Sequence, residues 1–371
     1  MSVTVPRTVA AGERSTAPGT GLGFRTVGFE NDFASGVLID RYVVSGDGHA
    51  RELVSQLSSP MWATEEILGL VEWMRAYNEE HPDDPVRFLG TDVLQLRQLS
   101  FDEISTYAAD VAPERAADVD ATLAEVALRG EPYEQFAWFF GLAADERQAV
   151  VERADDLVRL VATLPVGSDP VLKANIDQHA RAIAGWYENY SHDTEFRAGR
   201  ERFIADSIAW WQGLTGSRVA YWAANVHTAA APALSYSNPG DGEQTGVMAG
   251  GHIAARLGDG YVSVGSWVGQ GEISPDYSDP HPHPFGPPPA EFLEATLGRA
   301  EADTYLLPLD TDVPGDVARW RAGAATTLMI VPSLAGDEDP AAHTMTVPSL
   351  AEAFDAVVYI DESSASRLLG R

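Results

Sequence analysis

Cysteine is absent from the 371 residues, and lysine occurs once, at Lys173. Without a thiol there is no disulfide, no thiolate nucleophile and no Cys-based metal site. Basic residues are scarce altogether: 25 Lys and Arg stand against 55 Asp and Glu, a formal net charge of −30. Phosphate backbones and anionic lipid surfaces are bound by clustered Lys and Arg, so neither nucleic acid nor a membrane is an expected partner. No apolar run approaches the ~20 residues that cross a bilayer. The first 21 residues carry Arg7 and Arg14 but no apolar core of a secretory signal, so the expected location is cytoplasmic. An acidic, Lys-poor surface bears on solubility, high salt included, and not on fold.

Several catalytic signatures are missing as well. There is no Gly-x-Ser-x-Gly elbow: Gly260-Tyr261-Val262-Ser263-Val264-Gly265 has the wrong spacing, and Ser263 falls within an expected strand. No His-Glu-x-x-His and no phosphate-binding loop occurs, and the glycines at 19, 21 and 23 do not form a dinucleotide fingerprint. Serine hydrolase, zincin, kinase and dehydrogenase readings therefore fall away.

What is present is a set of apolar runs that each end in a polar group. Phe24–Phe29 stops at Glu30, Val86–Thr91 stops at Asp92, and Arg218–Ala224 stops at Asn225 and His227. Short β-branched and aromatic runs separated by helical stretches predict an α/β fold, a mostly parallel sheet core flanked by helices. In such a sheet the carboxyl ends of the strands share one edge, where ligands bind. Glu30, Asp92, Asn225 and His227 are thereby expected to face one crevice. Further strands are expected at Tyr261–Gly265, Thr326–Val331 and Ala356–Ile360, completing the same sheet.

Residues 1–21 lack periodicity and are expected to be flexible. The first part of the α/β core runs from 22 to 100. In it Thr64 caps a helix whose first turn holds Glu65 and Glu66, with Ile67, Leu70, Val71, Met74 and Tyr77 at helical spacing. Residues 101–212 carry no strand signal and predict a large helical insertion. The second part of the core occupies 213–371, with a helix over Val247–Leu257 and a Pro/His-rich loop over Pro275–Pro289.

Each candidate has an ordinary alternative. Glu30 could cap the next helix, although Asp32 could do so instead, and Asp92 could be a cap too. His227 could be a structural histidine, and Arg200 could form a surface ion pair with Glu201 or Glu195. His281-Pro282-His283 could suggest a metal site, but the proline splays the rings and no acidic partner has ligand spacing, so no metal is expected there. His252, after Gly250-Gly251, is expected to serve helix packing.

Taken together these residues resemble the erythromycin esterase family. Gly23–Glu30 is similar to its strand ending in a site glutamate. Trp62, Glu65 and Trp73-Met74-Arg75-Ala76-Tyr77-Asn78 resemble its Trp-Met-Arg helix, and Val86–Asp92 its following strand. Arg200-Glu201 with Ile204-Ala205 is similar to its Arg-Asp-x-x-Met-Ala helix start. Trp222-Ala223-Ala224-Asn225-Val226-His227 resembles its Trp-Ala-x-Asn-x-His element. The resemblance covers about residues 22–270. It implies a hydrolase of ester or lactone bonds using water and no cofactor, with Glu30, His227 and Arg200 catalytic and Asp92, Asn225, Trp222 and Glu65 contacting the substrate. That substrate could be a macrolide, another lactone or an unrelated small ester.

One departure stands out. The family begins with a strand and a Gly-Glu-x-x-His-Gly element that supplies the expected general base. Here Gly12-Glu13-Arg14-Ser15-Thr16 has Thr16 in the histidine's place, and too few residues remain before Gly23 for the family's helix. Ala224 also stands where some members have His. Esterase activity is then expected to be weak, and Phe24–Glu30 is expected to be an exposed edge strand. The alternatives are a non-catalytic small-molecule-binding protein that keeps the crevice, or a metal-dependent hydrolase using Glu30, His227 and His252.

Overall fold

The computed structural model describes residues 23–191, 198–238, 242–274, 281–329 and 342–370. The N-terminal stretch 1–21, with Gly12-Glu13 and Thr16, lies outside the described residues, as do Glu195 and part of the 275–289 loop.

The first strand, β1 (Phe24–Asp32), leads through helices α1 (Phe33–Ser45), α2 (Ala50–Ser55) and α3 (Glu65–Glu80) to β2 (Arg87–Asp92). Asp32, not Glu30, caps α1: its carboxylate accepts the Ser35 backbone N–H at 2.8 Å. Gly46 ends α1 in the left-handed region at φ 83°, the conformation glycine adopts without a Cβ penalty. Thr64 caps α3 by accepting from the Ile67 N–H, and Glu65 and Glu66 occupy the first turn where the helix dipole favours them. Helix α1 lies directly on β2, since a Cβ on Gly36 would come within 2.1 Å of the Gly90 nitrogen. Phe29, Ile39, Val43, Val71, Met74 and Phe88 fill the core between these elements.

Buried Asn78 of α3 ties this layer together. Its amide nitrogen donates to the Val43 and Val86 carbonyls at 2.7 and 2.8 Å, and its oxygen accepts the Val86 N–H at 2.7 Å. Asn78→Ala strands three buried backbone groups at once and is expected to cost about 2–4 kcal/mol. A drop in the urea midpoint with an unchanged m-value checks this.

From there to β3 (Arg218–Trp222) the described chain is helical: α4 (Gln98–Val111), α5 (Ala116–Glu125), α6 (Pro132–Gly141), α7 (Ala144–Ala162), α8 (Pro170–Ser191) and α9 (Ala198–Thr215). They share a large core around Ile104, Phe139, Leu157, Ile183, Trp186 and Tyr187. Strand β3 returns to pair in parallel with β1, giving the order β2-β1-β3. Strand β1 is thus central and not the edge expected from the sequence; among the described residues the edges are β2 and β3, the latter with Arg218 and Ala220 exposed.

The remaining elements are α10 (Asn225–Thr228), β4 (Leu234–Asn238), β5 (Gly242–Gly246), α11 (Ala249–Leu257), β6 (Val264–Ile273), β7 (His283–Phe285), α12 (Leu293–Leu297), β8 (Thr304–Pro308), α13 (Gly315–Ala322), β9 (Ala325–Leu328), β10 (Thr344–Val347), α14 (Leu350–Ala353) and β11 (Ala356–Ser363). The late strands do not complete the parallel sheet. They form two further four-stranded sheets, β5-β4-β10-β9 and β7-β6-β11-β8. The strand expected at Tyr261–Gly265 begins only at Val264, and His283 lies in short β7 instead of a loop. The chain end returns to the first layer: the Glu65 N–H donates to the Arg367 carbonyl and the Leu369 N–H to the Ala63 carbonyl, each at 2.8 Å. Among the described residues no helix is long and apolar enough to cross a membrane.

Candidate functional site

Parallel pairing sets where the site forms. Phe29 is in register with Gly90 of β2 and Trp222 of β3, so Glu30, Asp92 and the segment after Trp222 leave the sheet at one edge. Helix α9 crosses that edge by its first turn, bringing Arg200 and Glu201 between them.

Arg200 is the centre of the cluster. Its Nε donates to both Asp92 oxygens at 3.0 and 3.1 Å, and its Nη2 donates to Asp92 Oδ2 at 2.5 Å and to Glu30 Oε1 at 3.1 Å. Asp92 is 0% exposed and caps no helix. Glu30 Oε2 accepts the Ala224 N–H at 3.0 Å, joining the ends of β1 and β3. Arg200 is thus no surface ion pair. It is a buried guanidinium fixed by two carboxylates.

His227 lies between two glutamates. Nδ1 is 2.9 Å from Glu201 Oε2, and Nε2 is 3.3 Å from Glu30 Oε1. Glu201 Oε2 also accepts the Ala249 N–H at 2.9 Å, at the start of α11. Burial is the largest single influence on the ring and disfavours its charge. The carboxylates of Glu201 and Glu30 together outweigh burial and the nearby Arg200, raising the His227 pKa to about 10. The same balance runs the other way for Glu30. Burial pushes its carboxyl up, but His227, Arg200 and the Ala224 N–H hold it well below the usual carboxylate range. Glu201 is lowered against burial by His227, Arg200 and the Ala249 N–H. Burial opposes the charge of Arg200 as well, and Asp92, Glu30 and Glu201 reverse it, leaving Arg200 charged at every working pH. With the ring charged, Arg200 Nη1, 3.3 Å from Nε2, meets another donor, so that Nη1 is not engaged by the ring.

The buried constellation is therefore three carboxylates, one guanidinium and one imidazolium. It can hold an oxygen between positive donors and orient a polar group against Glu30. Its histidine is an acid at neutral pH. Among the described residues no group of three or more His, Asp or Glu is arranged to hold a metal ion. His252 stands beside Arg202 and Arg256, which with burial lower its pKa, and the cation that Glu30 and Asp92 require is Arg200 itself.

The other candidates are placed differently. The Asn225 amide donates to the Ser266 carbonyl at 2.7 Å and accepts the Ser266 N–H at 3.0 Å, clamping the end of β3 to the edge of β6. Trp222 is half-buried and packs against the core beside Phe29, with ring centroids 6.1 Å apart. Trp62 donates its indole N–H to the Glu30 carbonyl at 3.2 Å. Glu65 pairs with Arg51 at 2.9 Å and is not brought into the cluster. One member, Glu201, is not among the residues the sequence nominates for the site. For Glu201 a signal existed: Glu201, Ile204, Ala205 and Ile208 follow i, i+3, i+4, i+7, placing its carboxylate on the buried stripe of α9.

A structure described as a succinoglycan biosynthesis protein superposes with a TM-score of 0.76 at 22% identity, over 94% of this chain and 82% of that one. A protein from Bacillus cereus gives 0.76 at 21% identity, over 94% and 83%. A mutant of erythromycin esterase EreC in its open conformation gives 0.65 at 14% identity, over 94% and 84%. These likenesses show a shared fold. No curated protein sequence matches. The pattern of the erythromycin esterase family matches residues 20–363, and by that extent the chain belongs to the erythromycin esterase family.

Proposed function

We propose that this chain is a metal-independent hydrolase of ester or lactone bonds that acts on a small molecule. The observation that carries the reading is His227, held as an imidazolium between Glu201 and Glu30 beside Arg200, at the ligand edge of the parallel sheet. A carbonyl oxygen placed near Nε2 and Arg200 Nη1 would meet two positive donors where negative charge develops in the tetrahedral intermediate. Glu30, 16% exposed, can accept a hydrogen bond from water and orient it, although its low pKa makes it a poor base. As water adds, its O–H bond would break and the proton pass to Glu30; His227 Nε2–H would protonate the departing alkoxide, and the proton on Glu30 Oε1 would then return to Nε2, 3.3 Å away. Asp92 fixes Arg200, and Asn225 fixes the segment that carries His227.

A second reading, a binding protein that keeps the crevice, is favoured by one observation: Glu30, Glu201 and His227 are all held far from neutral pH. A panel of simple esters, small lactones and a macrolide, followed by product mass, separates the two. Hydrolysis of at least one member above the uncatalysed rate is expected. It should survive dialysis against EDTA and be lost in Glu30→Gln with the circular dichroism spectrum unchanged. Saturable binding without turnover across the panel would establish the second reading.

A further inference from the structure

Tyr221 of β3 carries a buried hydroxyl with no hydrogen-bond partner. An unmet buried donor is costly, so each such group calls for an explanation. The position of this one is informative. Tyr221 packs with Ile204, Ala205, Ile208, Ala249 and Ile253. Ala205 lies one turn along α9 from Glu201, and Ala249 is the residue whose N–H Glu201 accepts. Glu201 is 3% exposed, and its bonds to His227 and Ala249 both fall on Oε2. A donor without an acceptor therefore packs against the apolar residues that flank Glu201, whose bonds leave one oxygen uncommitted, and the charges of Glu30, Asp92 and Glu201 all act on that donor.

We propose that Tyr221 is a positioning residue whose hydroxyl donates to Glu201 when His227 passes its Nε2 proton to the leaving alkoxide. In that step the Nε2–H bond breaks, the alkoxide O–H bond forms, and His227 becomes neutral while Nδ1–H stays on Glu201. Glu201 then loses the positive charge that faced it, and an additional hydrogen bond becomes valuable at that moment. The groups facing the ring are Glu30 from β1, Arg200 and Glu201 from α9, with Asp92 of β2 behind Arg200. From α11 come the Ala249 N–H and, farther out, His252. None of these is a neutral donor able to change partners, and the Tyr221 hydroxyl is. Burial and the three carboxylates raise its own pKa well above the ordinary value, so its proton is retained throughout.

The inference deepens the hydrolase reading and rests on it only for its catalytic consequence. A donor that engages the neutral-imidazole state more than the charged one lowers the histidine's pKa, so its removal raises it. Tyr221→Phe, isosteric apart from the hydroxyl, is expected to move the His227 titration, followed by 15N NMR of the ring, up by about one unit without lowering Tm. It should reduce kcat roughly tenfold with KM unchanged, a pattern that packing alone does not produce. An unmoved or lowered His227 titration, or a Tm several degrees below wild type, would overturn the proposal. Failure of the wild-type protein to hydrolyse any ester would sink the hydrolase reading while leaving the titration test intact.

Discussion

Arg200→Met is expected to be the most destabilising single change at the site, by about 3–5 kcal/mol, because it leaves buried carboxylates without a counter-charge. Asp92 is 0% exposed and takes three of the guanidinium's contacts, and Glu30 takes another. Domains of this kind are stable by only about 5–15 kcal/mol, so urea denaturation should show a large loss of midpoint. The loss belongs to the stranded charge more than to the missing contact. Adding Asp92→Asn to Arg200→Met should therefore recover a substantial part of it, and a double-mutant cycle would read the coupling directly. By contrast Arg159→Ala, which breaks a pair with Asp156 where both side chains are about two-thirds exposed, should change stability by less than ~1 kcal/mol. Equal effects of the two arginine substitutions would mean that the Arg200 cluster is solvated, and the electrostatics described above would fail with it.

This cluster was partly legible in the sequence, for a geometric reason. A strand delivers its last residue to the sheet edge, and in a parallel sheet those edges coincide, so Glu30, Asp92 and His227 could be grouped from three short apolar runs. Arg200 sits on a helix, where no such polarity rule applies, and only the family resemblance selected it. Glu201 was visible in the spacing of α9 but invisible as a charge, since a glutamate beside an arginine ordinarily marks a solvated face. Tyr221 was hidden by its type: an aromatic in a strand is expected to be core, and what sets it apart is an unpaired hydroxyl that only three-dimensional packing reveals. The resemblance suggested substrate contact for Asn225, yet its side chain spans from one sheet to the main chain of another.

The fold divided in the same way. Helices with caps and periodic apolar faces, such as Glu65–Glu80, were readable from local chemistry. Strands Leu234–Asn238 and Gly242–Gly246 were not, because their mostly polar residues carry no apolar run. Strand β7 contains Pro284, which is tolerated because three residues at a sheet edge need few ladder bonds. The split of the late strands into two separate sheets depends on pairings between residues far apart in sequence. Tyr359 pairs in register with Trp267 and Met345 with Tyr236, and no local pattern encodes either.

His227 should impose a pH dependence whose sign separates its possible roles. In the unfolded chain a histidine titrates near 6.5, and in the folded protein burial is outweighed by Glu201 and Glu30, so the ring titrates at about 10. The folded state then binds more protons than the unfolded state between these values. The stabilisation from the charged ring is fully present below about pH 6.5 and is lost as pH rises through about 10. Urea denaturation at intervals from pH 6 to 10 should show falling stability in the wild-type protein. His227→Gln should be less stable at pH 6 and largely lack that slope, while losses below about pH 4, where Glu30 and Glu201 protonate against their lowered pKa values, should remain in part. Activity follows the same logic. If the ring works as a proton donor, His227→Gln should lower kcat by ~10²–10⁴-fold, and wild-type turnover should hold through neutrality and fall only toward pH 10. A general base would instead give a rate that climbs as the ring loses its proton. Turnover that rises between pH 6 and 7 and is abolished by His227→Gln would show the histidine working as a neutral imidazole, freed from the grip of its two glutamates.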